Sequence, residues 1–387
     1  MRRLWLLLVI GLLASCAAAP TPTTVPTPTP PASLWGAIHE IARTEQADAP
    51  AMWVAGERVT FLWVGAEEDG VHHDMRAFSD VGFSPRIVQP LPPTHPFDQR
   101  LLPAFRGGLH IFWLDAAPDA DPPELRLYGA FTLFDMTLDR GPTPLSDTLT
   151  LRYSAAPAQD DGAWVVWSGG LLAEPRLYSR LVDPVGRPRP PQQLVDNADW
   201  PVLLRALDGS YTLFWLDATR ENAYYAPFHG ETIGTIYELA PAPTLNTGDR
   251  LMGFWVGQDL THAYLFWNIT RFDGQYETWW TSGRLDGGGW PAPQQLTLSI
   301  DTSQTVQTGY NSGVVYAAAS NGSDRAVWAY PAIQQADVLP SAAQANDQLA
   351  VLYFRDGDLL GYQALTPIRG LIGHPHLMAD GLRHLYV

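Results

Sequence analysis

An apolar strand carrying tryptophan returns at a nearly constant interval along the chain, and this repeat limits the possible folds more than any other feature. The copies are Phe61-Leu62-Trp63-Val64, Ile111-Phe112-Trp113-Leu114, Val165-Val166-Trp167-Ser168, Phe214-Trp215-Leu216 and Leu265-Phe266-Trp267-Asn268. Successive tryptophans lie 50, 54, 48 and 52 residues apart. Weaker copies follow at Val314-Val315-Tyr316, Val351-Leu352-Tyr353 and Leu385-Tyr386-Val387. Several copies are preceded by a Pro-led strand and a Gly turn, as in Pro103…Gly107-Gly108 and Pro201…Asp208-Gly209. A strand rich in Tyr or Trp comes after, as in Leu125-Arg126-Leu127-Tyr128, Ala223-Tyr224-Tyr225 and Tyr276-Glu277-Thr278-Trp279-Trp280.

Aromatic residues suit a pleated surface, and Gly and Pro punctuate turns. Four short strands in a unit of about 45 residues is the pattern of a β-propeller blade. One blade cannot bury both of its faces alone. Stacking blade on blade around an axis does so, and the recurrent Trp supplies much of the buried area. A tandem of sandwiches has no need of one strand signature at a fixed interval, and a β-helix repeats at a shorter one. The expected fold class is therefore all-β, a propeller of about seven or eight four-stranded blades. Residues 34–42 read as an outer strand, so the termini are expected to meet in one blade. A helix at 34–43 would instead leave the ring open.

Ahead of the repeat, Met1-Arg2-Arg3 leads into an apolar run over residues 4–14. A membrane span needs roughly 20 apolar residues, so this run has the size of a signal-peptide core. Leu13-Ala14-Ser15-Cys16 resembles the bacterial lipobox. The resemblance implies a diacylglyceryl thioether on Cys16, which becomes the mature N-terminus, and export with an anchor in the cell membrane or outer membrane. Cys16 is the single cysteine of the chain, so the folded body is expected to stand without disulfides. Residues 17–31 read AAAPTPTTVPTPTPP. Proline fixes φ and removes a donor, which makes such a tract an extended spacer of roughly 45 Å at about 3.1 Å per residue. The expected organisation is a signal peptide over 1–15, a lipidated Cys and linker over 16–31, and a propeller over 32–387.

The chain holds no lysine, so its 24 basic residues are all arginine, against 40 acidic ones and a net charge of −16. Schiff-base and P-loop lysines are thereby excluded. The acidic balance argues against a nucleic-acid partner, whose phosphates demand a basic face, and against a body lying flat on anionic lipid.

At some outer turns a second pattern occurs. Asp286-Gly287-Gly288-Gly289-Trp290-Pro291 is one copy and Ser79-Asp80-Val81-Gly82-Phe83-Ser84-Pro85 another. These resemble the Asp-box turn of the sialidase-like propellers, Ser-x-Asp-x-Gly-x-Thr-Trp. The resemblance implies that Asp80, Gly82, Asp286, Gly288 and Trp290 are structural, closing a hairpin and packing an aromatic on the blade edge. It carries no catalysis.

Candidate chemistry is sparse. Asp115, Asp217 and Asn268 fall just past the Trp strands, where a ring of such groups could bind a ligand near the axis or act as acid and base. The alternative is a strand-end residue satisfying turn N–H groups. Arg106, Arg152, Arg205 and Arg250 lie near successive inner strands, a spacing that repetition alone can produce. His72 and His73 are adjacent and point to opposite faces of a strand. His374 and His376 could share a face, with His384 nearby, but Pro375 marks a strand start and no third ligand is evident. With no nucleotide, metal or nucleophile motif present, neither a cofactor nor a metal is expected.

The function expected from sequence is a surface-anchored propeller that binds an extracellular glycan or an envelope protein without catalysis. Pairs such as Tyr224-Tyr225 and Trp279-Trp280 would supply stacking surface. The alternative is a carbohydrate-active enzyme, a glycosidase or lyase, with its site at the propeller axis.

Overall fold

In a computed structural model, the chain forms antiparallel sheets that follow one another around a ring. The structure describes residues 36, 38–44, 50–67, 70–91, 96–118, 124–206, 208–259, 261–273, 276–285, 290–296, 298–301, 304–308, 317–320, 326–334, 347–364, 378–379 and 385–386. Cys16, residues 17–31, Asp286, Gly288, His374, His376 and His384 lie outside the described residues.

Blades two, three and four show the repeating unit plainly. Blade two runs Phe97–Pro103, Leu109–Ala116, Leu125–Thr132 and Leu138–Pro144. Blade three runs Thr150–Pro157, Ala163–Leu171, Glu174–Val182 and Gln192–Asp196. Blade four runs Ala198–Arg205, Tyr211–Asp217, Asn222–Phe228 and Tyr237–Pro241. In each, strand order in the sheet equals strand order in the chain. Blade one opens with Ala51–Ala55, Arg58–Glu67 and Gly70–Ser79, and blade five with Arg250–Gln258, His262–Thr270 and Tyr276–Arg284.

Among the described residues the sheets total seven: five of these blades, a six-stranded sheet between Leu298 and Ala364, and the pair Met378–Ala379 with Leu385–Tyr386. In the sixth sheet Ala317–Ser320 pairs with Ala326–Gln334, which carries Trp328, while the copy read at 314–316 lies outside the described residues. Met378–Ala379 lies between Ala51–Ala55 and Ala317–Ser320, which brings a late strand beside the first blade. The expected outer strand at 34–42 is not seen among the described residues. Gly36 and residues 38–44 carry no strand, and the segment runs along blade one instead. There Arg76 donates to the Ile41 carbonyl at 3.1 Å, and the Thr44 hydroxyl donates to the Val64 carbonyl at 2.7 Å.

Each second strand is sandwiched between neighbouring blades and so is apolar on both faces, as Leu109–Ala116 shows by its nearly complete burial. Side chains alternate between the two neighbours. Trp113 packs back on Ala51, Leu62 and Met75 of blade one, whereas Phe112 and Leu114 pack forward on Tyr153, Val165 and Trp167 of blade three. Trp167, Trp215 and Trp267 likewise face the preceding blade. Beside each tryptophan on the third strand stands an aromatic cross-strand partner. Trp113–Tyr128, Trp167–Tyr178 and Trp215–Tyr224 stack at 5.8, 5.7 and 6.0 Å, and Trp267 is paired with Trp279. Such pairs are the unit of sheet stabilisation, which explains why Trp and Tyr repeat in step along the sequence.

At the Asp-box-like turns the described residues make local contacts. Gly82 takes φ +96, a conformation glycine adopts freely, and Phe83 packs under Phe78 and Arg76. Asp80 is exposed at the turn. Trp290 lies on Gly283, where an added Cβ would come within 2.4 Å of the indole.

Candidate functional site

The inner strands of blades two to five are bulged at the same end. The irregularities fall between Phe97 and Arg100, Thr150 and Arg152, Asp199 and Val202, and Leu251 and Gly253. That end opens on the ring face carrying the turns between second and third strands, here the upper face. A bulge bends the strand and re-aims a side chain. Asp98 and Trp200 sit in these bulges with φ +50 and +58. Pro201 cannot donate to the sheet ladder, which helps fix the irregularity there.

The bulge of blade four builds a charged cluster on this face. Asp199 is buried and takes four donors. The Ser168 hydroxyl and the Trp200 N–H donate to Oδ1, each at 2.8 Å. Arg152 Nη1 and Arg220 Nη2 both donate to Oδ2 at 3.1 Å. Burial alone would raise the Asp199 carboxyl, but Arg152, Ser168 and Arg220 outweigh it and hold the group below its ordinary value. The guanidiniums keep 28% and 33% of their side chains exposed. Arg152 lies 3.7 Å from the centroid of the Trp200 ring and Arg220 5.6 Å from it. Two cations on one carboxylate leave a positive spot in a protein of net charge −16. This arrangement is suited to an anionic group lying over an aromatic face.

A second group lies between blades two and three. The Tyr153 hydroxyl donates to the Asp98 carbonyl, and Arg100 stands 4.9 Å from the Tyr153 ring and 3.6 Å from Asp98 Oδ1. Burial, with the Asp98 charge adding to it, pushes the Tyr153 phenol well above its ordinary range against Arg100. Asp98 also acts electrostatically on Arg152, so the two groups adjoin.

Between blades one and two, His73 is fully buried with its ring edge-on to Trp113 at 5.1 Å. Burial drives its imidazole down to about 4 against the pull of Asp115. A histidine with a lowered folded pKa is neutral in the fold at neutral pH, while the unfolded chain binds a proton below about 6.5. Stability supplied by neutral His73 is therefore present above about 6.5 and lost as pH falls towards 4. The expected loss is on the order of 2–3 kcal/mol between neutral pH and pH ~4. His73→Phe should shrink it. Urea midpoints at the two pH values measure the effect, and an equal shift in both proteins would reject it.

On the other face of the same strand, His72 Nε2 and Arg86 Nη1 each lie 3.5 Å from Asp74 Oδ2. Gly65 opposite makes room for them, since an added Cβ would stand 2.4 Å from Asp74 and 2.8 Å from His72.

The residues singled out from sequence separate. Asp115 faces blade one and its Oδ1 accepts the Ala116 N–H at 2.7 Å. Asp217 closes a turn, accepting the N–H of Glu221 at 2.8 Å and of Asn222 at 3.3 Å. Asn268 follows its tryptophan by one residue, whereas Asp115 and Asp217 follow theirs by two. The period of two therefore puts Asn268 on the opposite face, where it accepts from the Thr278 hydroxyl at 3.0 Å. The three form no ring. Of the arginines at blade spacing, Arg152 enters the site and Arg250 lies exposed at the same end, but Arg106 and Arg205 lie at the lower end of their blades. Asp199, Arg220, Trp200 and Tyr153 were not legible as site residues. Pro201 inside an expected inner strand is the signal that could have marked the bulge.

On the lower face, Asp259, His262 and Asp356 bring ligand atoms within 4.8 Å of one another. The oxygens of Asp259 already accept from Thr261, the His262 N–H, the Tyr264 hydroxyl and the Asp356 N–H. That is the chemistry of a pinned turn.

No protein-family model matches the sequence, and no curated protein does. Solved structures do match in fold. The polysaccharide lyase Uly1 superposes with a TM-score of 0.52 at 9% identity, covering 87% of this chain and 85% of its own. A thermostable family-43 glycoside hydrolase gives 0.39 at 10% identity, covering 85% of this chain and 96% of its own. A PL25 ulvan lyase gives 0.39 at 10% identity, covering 85% and 74%. At 9% identity the likeness to Uly1 bears on the fold alone, a propeller. The expectation of a propeller that binds without catalysis is corrected, since the protein it superposes on at 0.52 is named a polysaccharide lyase.

Proposed function

We propose that the chain is a carbohydrate-active enzyme working on an acidic polysaccharide at the upper face, by elimination rather than hydrolysis. The observation carrying this reading is the pair Arg152 and Arg220, pinned on Asp199 beside Trp200. Elimination next to a uronate carboxylate requires that its charge be neutralised so that the α-proton becomes acidic. A base then takes that proton, the bond to the glycosidic oxygen breaks, and a double bond forms in the sugar while the leaving oxygen gains a proton. A preorganised guanidinium pair supplies the neutralisation. Hydrolysis needs a free carboxyl acid opposite a second carboxylate about 5–10 Å away, and Asp199, held ionised by two arginines, is unsuited to that part.

The test incubates the purified protein with a panel of polyuronates and with neutral arabinan. Ultraviolet absorbance from unsaturated uronate, arising only with acidic polymers, is the expected result. New reducing ends without that absorbance would replace elimination by hydrolysis. Arg152→Ala should lower kcat/KM by about 10²-fold or more, as loss of a positioned charge-stabilising donor does elsewhere.

We further propose export as a lipoprotein through Cys16, which would place the enzyme where polysaccharide is met. Labelled palmitate should enter the protein in a bacterial host, and Cys16→Ala should abolish the labelling.

A further inference from the structure

Phe272 lies in the turn between second and third strands of blade five, on the same face as Arg220, and it is 84% exposed. An exposed aromatic on a loose loop is unremarkable, but this one is braced. Its N–H donates to Asp249 Oδ1 at 3.0 Å. Asp249 Oδ2 accepts Arg271 Nη1 at 2.7 Å and the Asn246 N–H at 2.8 Å. Arg271 also donates to the Thr244 carbonyl at 3.0 Å and to Glu277 Oε2 at 2.8 Å, and the Trp279 indole N–H donates to that same oxygen at 2.7 Å. Beneath the ring lies Gly248 at φ +94, where an added Cβ would come within 2.6 Å of the ring. Glycine is therefore required for the ring to sit there.

This network leads back to the charged site. Trp279 packs on the apolar cluster between blades four and five, and Trp200 packs on that same cluster. The braced ring thus stands one blade interface away from the guanidinium pair. Holding an apolar ring rigidly in water gains nothing for folding. It does reduce the ordering cost of binding a flat apolar face, and the C–H face of a pyranose is such a partner.

We propose that Phe272 is a stacking subsite for a pyranose ring of the polysaccharide chain, one or more units away from the residue held by Arg152 and Arg220. The subsite rests on the reading of the upper face as a polysaccharide site. It predicts that length of substrate matters: the ring adds affinity for polymer and none for an oligosaccharide too short to reach it.

The experiment is affinity electrophoresis of the full chain in gels holding polygalacturonate, dextran sulfate or neutral arabinan. Phe272→Ala and Phe272→Trp run beside the wild type, and a disaccharide uronate is the competing short ligand. Wild type should be retarded by an acidic polymer. Phe272→Ala should weaken that retardation by about threefold to tenfold, Phe272→Trp should restore it, and disaccharide affinity should be the same in all three. Equal retardation of wild type and Phe272→Ala would overturn the subsite and leave the site reading standing. No retardation of wild type in any gel would overturn both. Thermal melts of the variants should coincide, because the ring is exposed.

Discussion

Asp199→Ala is expected to remove about 3–5 kcal/mol of stability, together with the activity proposed for the upper face. The carboxylate is buried and is the acceptor for Ser168, the Trp200 N–H, Arg152 and Arg220. Removing it leaves two guanidiniums, already partly desolvated, repelling each other with no anion between them. Deleting one partner of a buried charge cluster costs far more than the cluster contributed, because the remaining charges stay in place. The bulge would suffer as well, since the Trp200 N–H closes onto Oδ1 and fixes the positive φ of that residue. Asp199→Asn is the informative companion. Its carbonyl oxygen can still accept from Ser168 and Trp200, but its NH₂ group then faces two guanidinium donors. An intermediate loss is expected. Urea midpoints measure both, and an alanine variant within about 0.5 kcal/mol of wild type, the range of ordinary surface substitutions, would reject the role given to Asp199.

The same group carries a pH dependence whose sign follows from its lowered pKa. A carboxyl held below its unfolded value contributes stability that is present above that value and lost as pH falls through the folded one. Asp199 therefore adds to the acid sensitivity expected of His73 but at lower pH, since His73 loses its contribution on the way from about 6.5 to about 4. The two can be separated by the pH range in which each variant departs from wild type.

The propeller was legible because its determinant is periodic. Burial on both faces makes each second strand a continuous apolar run, and packing against the preceding blade selects Trp at one position of it. Both leave marks every fifty residues or so, as Trp113, Trp167, Trp215 and Trp267 show. The site left no such mark, because it is made where the repeat is broken. A bulge shifts the register by a residue, so side-chain direction at Asp98, Arg152 and Asp199 no longer follows from counting. The same limit explains Asn268: its place just after Trp267 looks equivalent to that of Asp217 after Trp215, yet one residue of offset turns it to the other side. The weak late repeats failed for a different reason. In the sixth sheet Trp328 stands in Ala326-Val327-Trp328-Ala329-Tyr330-Pro331, where alanines and a proline replace the continuous apolar run of the other copies, so the signature of the repeat does not show there.

Trp267→Ala is the second substitution with a large expected effect, and it examines the repeat itself. Trp267 is fully buried, packed with Phe214, Leu216 and Tyr225 of blade four and with Phe254 of its own blade at 5.6 Å between ring centroids. Truncation removes an aromatic from a blade interface that can collapse little, because each blade is held on both sides. A loss of about 3–5 kcal/mol is expected. The indole N–H finds no acceptor among the described residues, so the contribution of Trp267 is packing rather than hydrogen bonding. Trp267→Phe should then cost clearly less than Trp267→Ala, since the smaller ring keeps much of the contact and relieves a buried unpaired donor. Leu172→Ala, at an exposed hairpin tip, should change stability by no more than about 0.5 kcal/mol. If the alanine variants at 267 and 172 were equally stable, the recurrent tryptophan would not be the bond between blades, and the interval that identified the fold would need another cause.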